Sequence, residues 1–409
     1  MTRAILNALL LFLSQVGGYL IPLLEIPFLT RVISPSVLGE VFFIQSWMLT
    51  LSLVVEYGFN YNATKKIAEN KNCQKSILAV VSEVTSAKVV SCAVITLVLV
   101  IGITLFLPAS IKLEWVVFAY LQFVGFSFSP YWYFQGKEQL KGVVSFDVTV
   151  RFLALGCLFL FVGSDVDAGY ILLIQGGAGF ALTVITNGMM FYKEGAPQIN
   201  IVLGIKALKA GWHYFLFKSS STVLLSMNSI LVGFISSMEL LAIYVGAEKI
   251  MKAILGLSNP VITAFYPYFC TVLKENKVKY LKELKYFIAT LTSLGILGVV
   301  IGLFSYEWII NLFLGASYVN SKDILVVYLF LIPLRMMSQS ISVGYLLPNE
   351  KVKLTSKVVL LSTLLNLTLA IVLINAFSVI GMVYTILAVE CFLILAFLFL
   401  CKNETVTKL

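Results

Sequence analysis

Uncharged apolar runs of membrane-spanning length recur along the whole chain, and they constrain the fold more than any other feature. Val89–Leu107, Phe152–Gly163, Tyr170–Tyr192 and Val358–Ile374 carry no charged side chain. Several approach the roughly 20 residues that a helix needs to cross about 30 Å of hydrocarbon. No polar segment between such runs is long enough to fold alone. Apolar residues make up 60% of the chain and charged residues 12%, about half the charge density of an ordinary soluble domain. The chain is expected to be an all-α integral membrane protein with no soluble domain.

The hydropathy pattern predicts about twelve helices, over 4–30, 38–61, 75–107, 115–135, 143–163, 168–192, 210–236, 240–270, 284–305, 323–347, 355–375 and 378–401. Thr2 and Arg3 precede a first apolar run that continues past Pro22 to Leu29 without a small-residue cleavage site. It reads as an uncleaved helix rather than a signal peptide. With the N-terminus cytoplasmic, one side collects Arg3, the lysines of 65–75, 137–141, 193–209, 274–285 and 351–357, and Lys402 and Lys408. The other side has only Arg31, Lys112 and Lys322. Basic loops stay on the cytoplasmic face during insertion, so both termini are expected there. The same distribution accounts for the net charge of +9 without nucleic acid, for which no motif is present. The six cysteines show no CxxC spacing, which implies neither a disulfide framework nor a metal site.

Six helices per half would give two halves of the same orientation. Two short internal matches support a duplication. Val32-Ile-Ser-Pro-Ser-Val-Leu-Gly-Glu-Val-Phe42 aligns with Phe234-Ile-Ser-Ser-Met-Glu-Leu-Leu-Ala-Ile-Tyr244, and the segment 134–141 resembles 347–353. The expected organisation is an N-terminal six-helix lobe over 1–192, a cytoplasmic linker over 193–209 and a C-terminal six-helix lobe over 210–409.

A resemblance can be named on longer motifs. Residues 19–39, with Pro22, Glu25, Pro27, Thr30, Arg31 and Gly39, form one. Glu56-Tyr-Gly-Phe-Asn60 with Ala63 and Thr64 is a second, and Pro130-Tyr-Trp-Tyr-Phe-Gln-Gly-Lys-Glu138 a third. Tyr244-Val-Gly-Ala-Glu-Lys-Ile250, Pro260 through Pro267, and Glu307 with Gly315 and Tyr318 continue the match. In order and over essentially the whole chain, these resemble the polysaccharide transporters of the multidrug/oligosaccharidyl-lipid/polysaccharide exporter superfamily, the Wzx-type O-antigen flippases above all. The resemblance implies two six-helix bundles around a central cavity, lined largely by the first, second, seventh and eighth helices. It also implies alternating access, a bacterial inner-membrane location and undecaprenyl-pyrophosphate-linked oligosaccharide as cargo. The expected partners are that cargo, membrane lipid and the polysaccharide polymerase machinery. No cofactor and no catalytic residue are expected.

Ionisable groups inside the bilayer cost roughly 2.5–3.5 kcal/mol each on insertion scales, so each calls for a partner, a wet cavity or a function. Asp147 and Arg151, and likewise Glu248 and Lys252, stand four residues apart with the acid first, the spacing of a structural ion pair on one helix. Lys249 is rotated away from its neighbours' pair, and Arg335, after Pro333, has no acid within a helical turn. Lys218 heads a stripe of Thr222, Ser226, Ser229 and Gly233 on one helical arc. This stripe is either a cavity wall or a small-residue helix seam. With the resemblance, Lys218, Lys249 and Arg335, aided by Thr222 and Ser226, become candidates to bind an anionic cargo. Glu25, on a helix with Pro22 and Pro27, and Glu390 become candidates for a coupling ion.

Two other readings stay open. A drug or cation exporter of the same fold would favour an acidic cavity rather than unpaired cations. A membrane glycosyltransferase or polymerase would need more than the short Asp165-Val-Asp167 segment, which reads better as a loop cap. His213, beside Trp212, reads as an interfacial anchor.

Overall fold

The computed structural model of the protein describes residues 17–18, 20–70, 73–106, 111–315, 318 and 321–406, and several side chains within these helices, including those of 216–226, lie outside that description. All regular structure among the described residues is helical. In chain order the α-helices are α1 over 20–32, α2 Pro35–Glu56, α3 Phe59–Glu69, α4 Gln74–Phe106, α5 Leu113–Phe128, α6 Tyr131–Gly136, α7 Leu140–Phe161 and α8 Ala168–Glu194. They continue as α9 Ile201–Ile235, α10 Met238–Ala264, α11 Tyr266–Glu275, α12 Lys277–Phe313, α13 Lys322–Leu329, α14 Leu331–Ile341, α15 Val352–Phe377 and α16 Val379–Val406. A π-helical turn, Ser342–Leu346, extends α14.

Among the described residues, eight helices are long and apolar enough to cross a membrane by length and composition. They are α2, α4, α7, α8, α12, α15, α16 and the combined run Lys322–Leu346. The expected count of twelve is therefore met for eight. Of the remaining four positions, α10 carries Glu248, Lys249 and Lys252 in its middle, more charge than a lipid-facing span tolerates. Those charges form the site described below.

The chain divides into two compact units. The first holds Val32–Ile230 with the chain up to Ile21, and the second holds Pro22–Arg31 with Leu231–Leu409. This differs from the lobes expected over 1–192 and 210–409. The expected linker over 193–209 is largely helical. Lys193 and Glu194 end α8, and Gly195, at φ 101°, stops it in a conformation open to glycine. Only 195–200 lies outside the helices, and it is pinned to α4: Gln198 N–H donates to Ser82 Oγ and Asn200 N–H to Ser86 Oγ, each at 3.0 Å. Asn200 Oδ1 then accepts from the Val202 N–H at 2.8 Å and starts α9. That cap is the signal that fixes where the helix begins.

In the first unit, α5 lies against α8. A Cβ on Gly125 would stand 2.8 Å from the Gly179 and Phe180 backbone, so only glycine permits this approach. Thr183 Oγ1 donates to the Gly125 carbonyl at 2.7 Å across the same seam. In the second unit, α12 packs on α14 and α15 on α16.

The duplication is visible in element order, since a broken helix, a long helix, a second broken helix and a helical hairpin occur in both halves. The 134–141 and 347–353 segments fold alike. Glu138 and Glu350 both have φ 57°, and each follows the same turn, with Glu138 N–H donating to Gln135 O and Glu350 N–H to Leu347 O, both at 3.1 Å. The other internal match is shifted by one residue. Helices α2 and α10 begin at Pro35 and Met238, so Ser34 corresponds to Ser237 rather than to Ser236. The identical Ile-Ser pair drew the sequence alignment, whereas the helix start sets the structural one.

Candidate functional site

Two buried carboxylates of the second unit, Glu248 and Glu390, are held in ion pairs. On α10, Lys252 Nζ lies 2.9 Å from Glu248 Oε2. The other carboxylate oxygen accepts from Tyr244 Oη at 3.3 Å, and Tyr244 in turn accepts from Tyr328 of α13 at 3.1 Å. Both tyrosines are fully buried, so α10 and α13 are joined by a continuous polar chain ending at Lys252. Lys249, next on α10, lies in the field of Glu25 of α1 as well as that of Glu248 on its own helix. Arg335 of α14 meets Glu390 of α16, with Nη1 2.6 Å from Oε2. Ser338 Oγ donates to the other oxygen of Glu390.

These contacts correct the expectation that Lys249 and Arg335 lack counter-charges. Helical spacing detects partners three or four residues away, whereas Glu25 and Glu390 come from distant helices. One candidate for cargo binding, Arg335, is thereby paired with one candidate for ion coupling, Glu390, and Lys249 lies in the field of the other, Glu25. Among these described groups each cation has an acid acting on it, so they do not by themselves separate an anion carrier from a cation exporter.

The remaining candidates lie in the first unit. Arg151 Nε is 2.8 Å from Asp147 Oδ1 on α7. The side chains of Lys218, Thr222, Ser226 and His213 fall outside the described residues, and of their stripe only Ser229, which is buried, and Gly233 are seen. Asp165 and Asp167 act as loop caps: Ser34 N–H donates to Asp165 Oδ1 at 2.6 Å, and Gly163 N–H and Ser164 Oγ donate to Asp167 Oδ2 at 3.1 and 2.9 Å. Among the described residues no group of three metal-ligating side chains occurs.

Several motif residues have structural roles that the sequence did not disclose. Arg31 Nη2 donates to the carbonyls of Asn311 and Leu312 at 3.1 and 3.0 Å, and Thr30 Oγ1 to that of Phe313 at 3.3 Å. Together they satisfy the open carbonyls at the end of α12, where a cation also opposes the helix dipole. Gly315, at φ 78°, closes that helix with its N–H on Ile310 O at 2.9 Å. Tyr318 beyond it is fully buried, and burial pushes its hydroxyl pKa well above the usual range, with Glu239 adding to the effect. Glu56 accepts from Asn60 N–H at 3.2 Å and caps α3 after two left-handed residues, Tyr57 and Gly58, break the helix. Buried Lys88 donates to Ser129 O at 3.2 Å, at the end of α5. Trp132, Tyr133 and Phe134 fill the core beneath α3. Tyr133 Oη reaches Glu194 at 2.6 Å, and Lys137 reaches the same oxygen at 2.9 Å. Nothing in local sequence marks the end of a helix hundreds of residues away, so Arg31 had no signal by which its task could be read.

Residues 5–273 match the family model described as polysaccharide biosynthesis protein. The chain belongs to this family. It is 28% identical over 401 residues, 97% of this chain and 96% of the relative, to a putative O-antigen transporter of Escherichia coli (strain K12). A putative O-antigen transporter of Shigella dysenteriae is 27% identical over 394 residues, covering 95% and 98% of the two chains. Among solved structures, the lipid II flippase MurJ in an inward closed conformation superposes with a TM-score of 0.71 at 15% identity, over 97% of this chain and 87% of that one. An inward-facing multidrug resistance MATE family transporter of the MOP superfamily gives 0.66 at 15% identity, over 98% and 95%. The all-α membrane fold is the one these two solved transporters share.

Proposed function

We propose that this protein flips a lipid-linked oligosaccharide, an O-antigen repeat unit on undecaprenyl pyrophosphate, from the cytoplasmic to the outer leaflet of a bacterial inner membrane by alternating access. The observation that carries the reading is the nearly end-to-end match to O-antigen transporters; the fold is shared with flippases and drug exporters alike. The termini are assigned to the cytoplasm from the basic loops, and the remaining four helix positions complete twelve spans. The pyrophosphate head group carries about two negative charges and must exchange its water for protein donors while the prenyl tail stays in lipid. Lys249 and Arg335, with Lys218, Thr222 and Ser226 on α9, are assigned to that exchange, and Glu25 and Glu390 to the bound ion. One elementary charge moved through 100 mV is worth about 2.3 kcal/mol, so the cargo's own charge favours outward movement from a negative interior.

Deleting the gene should leave undecaprenyl-linked repeat units accumulated on the cytoplasmic leaflet, while surface polysaccharide disappears. Extraction of lipids from the deletion strain, followed by glycan analysis, measures both. An unchanged lipid-linked pool together with increased sensitivity to organic cations would favour the drug-exporter reading.

A further inference from the structure

We propose that Arg335 and Glu390 form a proton-linked exchange site, in which a phosphate oxygen of the ligand takes the place of Glu390 on Arg335 and Glu390 takes up a proton. This rests on the cargo reading above and adds a mechanism to it. The two partners differ in access: the Arg335 side chain is 32% exposed and that of Glu390 only 2%. A ligand can therefore approach the guanidinium, whereas the carboxylate has nowhere to go when displaced. A buried carboxylate without its cation is costly unless it becomes neutral.

Ser338 makes the neutral state possible. Its hydroxyl donates to Glu390 Oε1 and also stands 3.2 Å from the Arg335 carbonyl. While Glu390 is ionised, the serine hydrogen points at the carboxylate. Once Glu390 is protonated, its O–H donates to Ser338 Oγ and the serine hydrogen turns to the Arg335 carbonyl. Both protonation states are thus hydrogen-bonded in place, without moving a helix.

Among the described residues, Arg335 is the charged partner that reaches Glu390 from the elements packed on α16. Those elements include α10, α13, α14, α15 and the π-helical turn. Helix α14 contributes Arg335, and α15 has no ionisable side chain between Lys357 and Phe377. On α13, Tyr328 is committed to Tyr244, with Lys322 and Asp323 at the far end of the helix. On α10, Glu248 and Lys249 act on Lys252 and Glu25. In the π-helical turn, the Tyr345 hydroxyl donates to Cys401 O. The balance is one proton taken up per ligand bound and one released when the pair reforms. A proton that travels outward with an anion does not power export; it lowers the charge that must cross.

The test is calorimetric titration of the purified full-length protein with geranyl pyrophosphate, from pH 6 to 8, in buffers of differing ionisation heat. Glu390→Gln serves as the reference, because it reports the probe's own protonation. The wild type should take up about one more proton per ligand than Glu390→Gln, and relative to that variant its affinity should fall by up to about tenfold per pH unit. Should Glu390→Gln not fold, Ser338→Ala takes its place: it keeps Arg335 for the ligand, removes the hydroxyl that accepts the Glu390 proton, and should take up less than the wild type's proton per ligand, whereas uptake equal to the wild type's would overturn the exchange. Equal proton uptake and parallel pH profiles for wild type and reference would overturn the exchange while leaving pyrophosphate binding intact. Failure of the wild type to bind the probe at any pH would overturn the exchange and the cargo reading together.

Discussion

Arg335→Ala is expected to deplete folded protein from the membrane more than the Arg335→Ala/Glu390→Ala double variant does. The single change leaves a nearly inaccessible carboxylate without its cation. Breaking one side of a buried pair costs about 3–5 kcal/mol, a large share of the roughly 5–15 kcal/mol that holds a typical fold together. The double change removes both charges and leaves mainly a packing defect. Lys252→Ala should act in the same direction, because it leaves Glu248, whose side chain is 10% exposed, without its cation. Abundance in the membrane fraction and thermal unfolding in detergent measure all of these. Equal loss in the single and double variants would show that the pair is not stabilised by its charges.

Lys249→Glu is expected to abolish transport. The change sets a third carboxylate beside Glu25 and Glu248, the two acids that act on Lys249. Like charges at such a site oppose one another strongly in a low-dielectric interior, so abundance should fall as well. The exchanged variant, Glu25→Lys with Lys249→Glu, restores the pairing and should restore abundance. Transport should stay at the level of the deletion strain, because the cation then sits on α1 rather than on α10. Recovery of surface polysaccharide in the exchanged variant would mean that Lys249 serves only as a structural partner of Glu25.

The membrane class and the helical fold were legible because lipid imposes them on every segment. Runs such as Tyr170–Tyr192 cannot be anything but spans, and α8 follows that run closely. Pairs on one helix were equally legible: four-residue spacing puts Asp147 beside Arg151, and the contact is 2.8 Å. Contacts between helices were not. Nothing in the residues around Arg335 points to Glu390, or in those around Lys249 to Glu25, so both cations read as unpaired and the site read as cationic. The order within the expected linker was hidden for a related reason. Charge and polarity marked 193–209 as a connector, but the Asn200 cap and the Ser82 and Ser86 hydroxyls turn most of it into ordered structure packed on α4. The motifs carried the family without disclosing what their residues do. Thr30, Arg31, Glu56 and Trp132 cap helices and fill cores, whereas Glu248 is ion-paired with Lys252 and Lys249 lies in the field of Glu25.

This one chain is expected to move a pyrophosphate-linked oligosaccharide across a bilayer unaided. The most direct measurement reconstitutes the purified protein into liposomes carrying a fluorescent short-chain prenyl-pyrophosphate oligosaccharide and follows its access to an external quencher. Protein-dependent exchange between leaflets is expected, accelerated by a membrane potential negative on the side the cargo leaves and lost in Lys249→Glu. Exchange no faster than in protein-free liposomes, with the same preparation moving organic cations instead, would contradict that expectation.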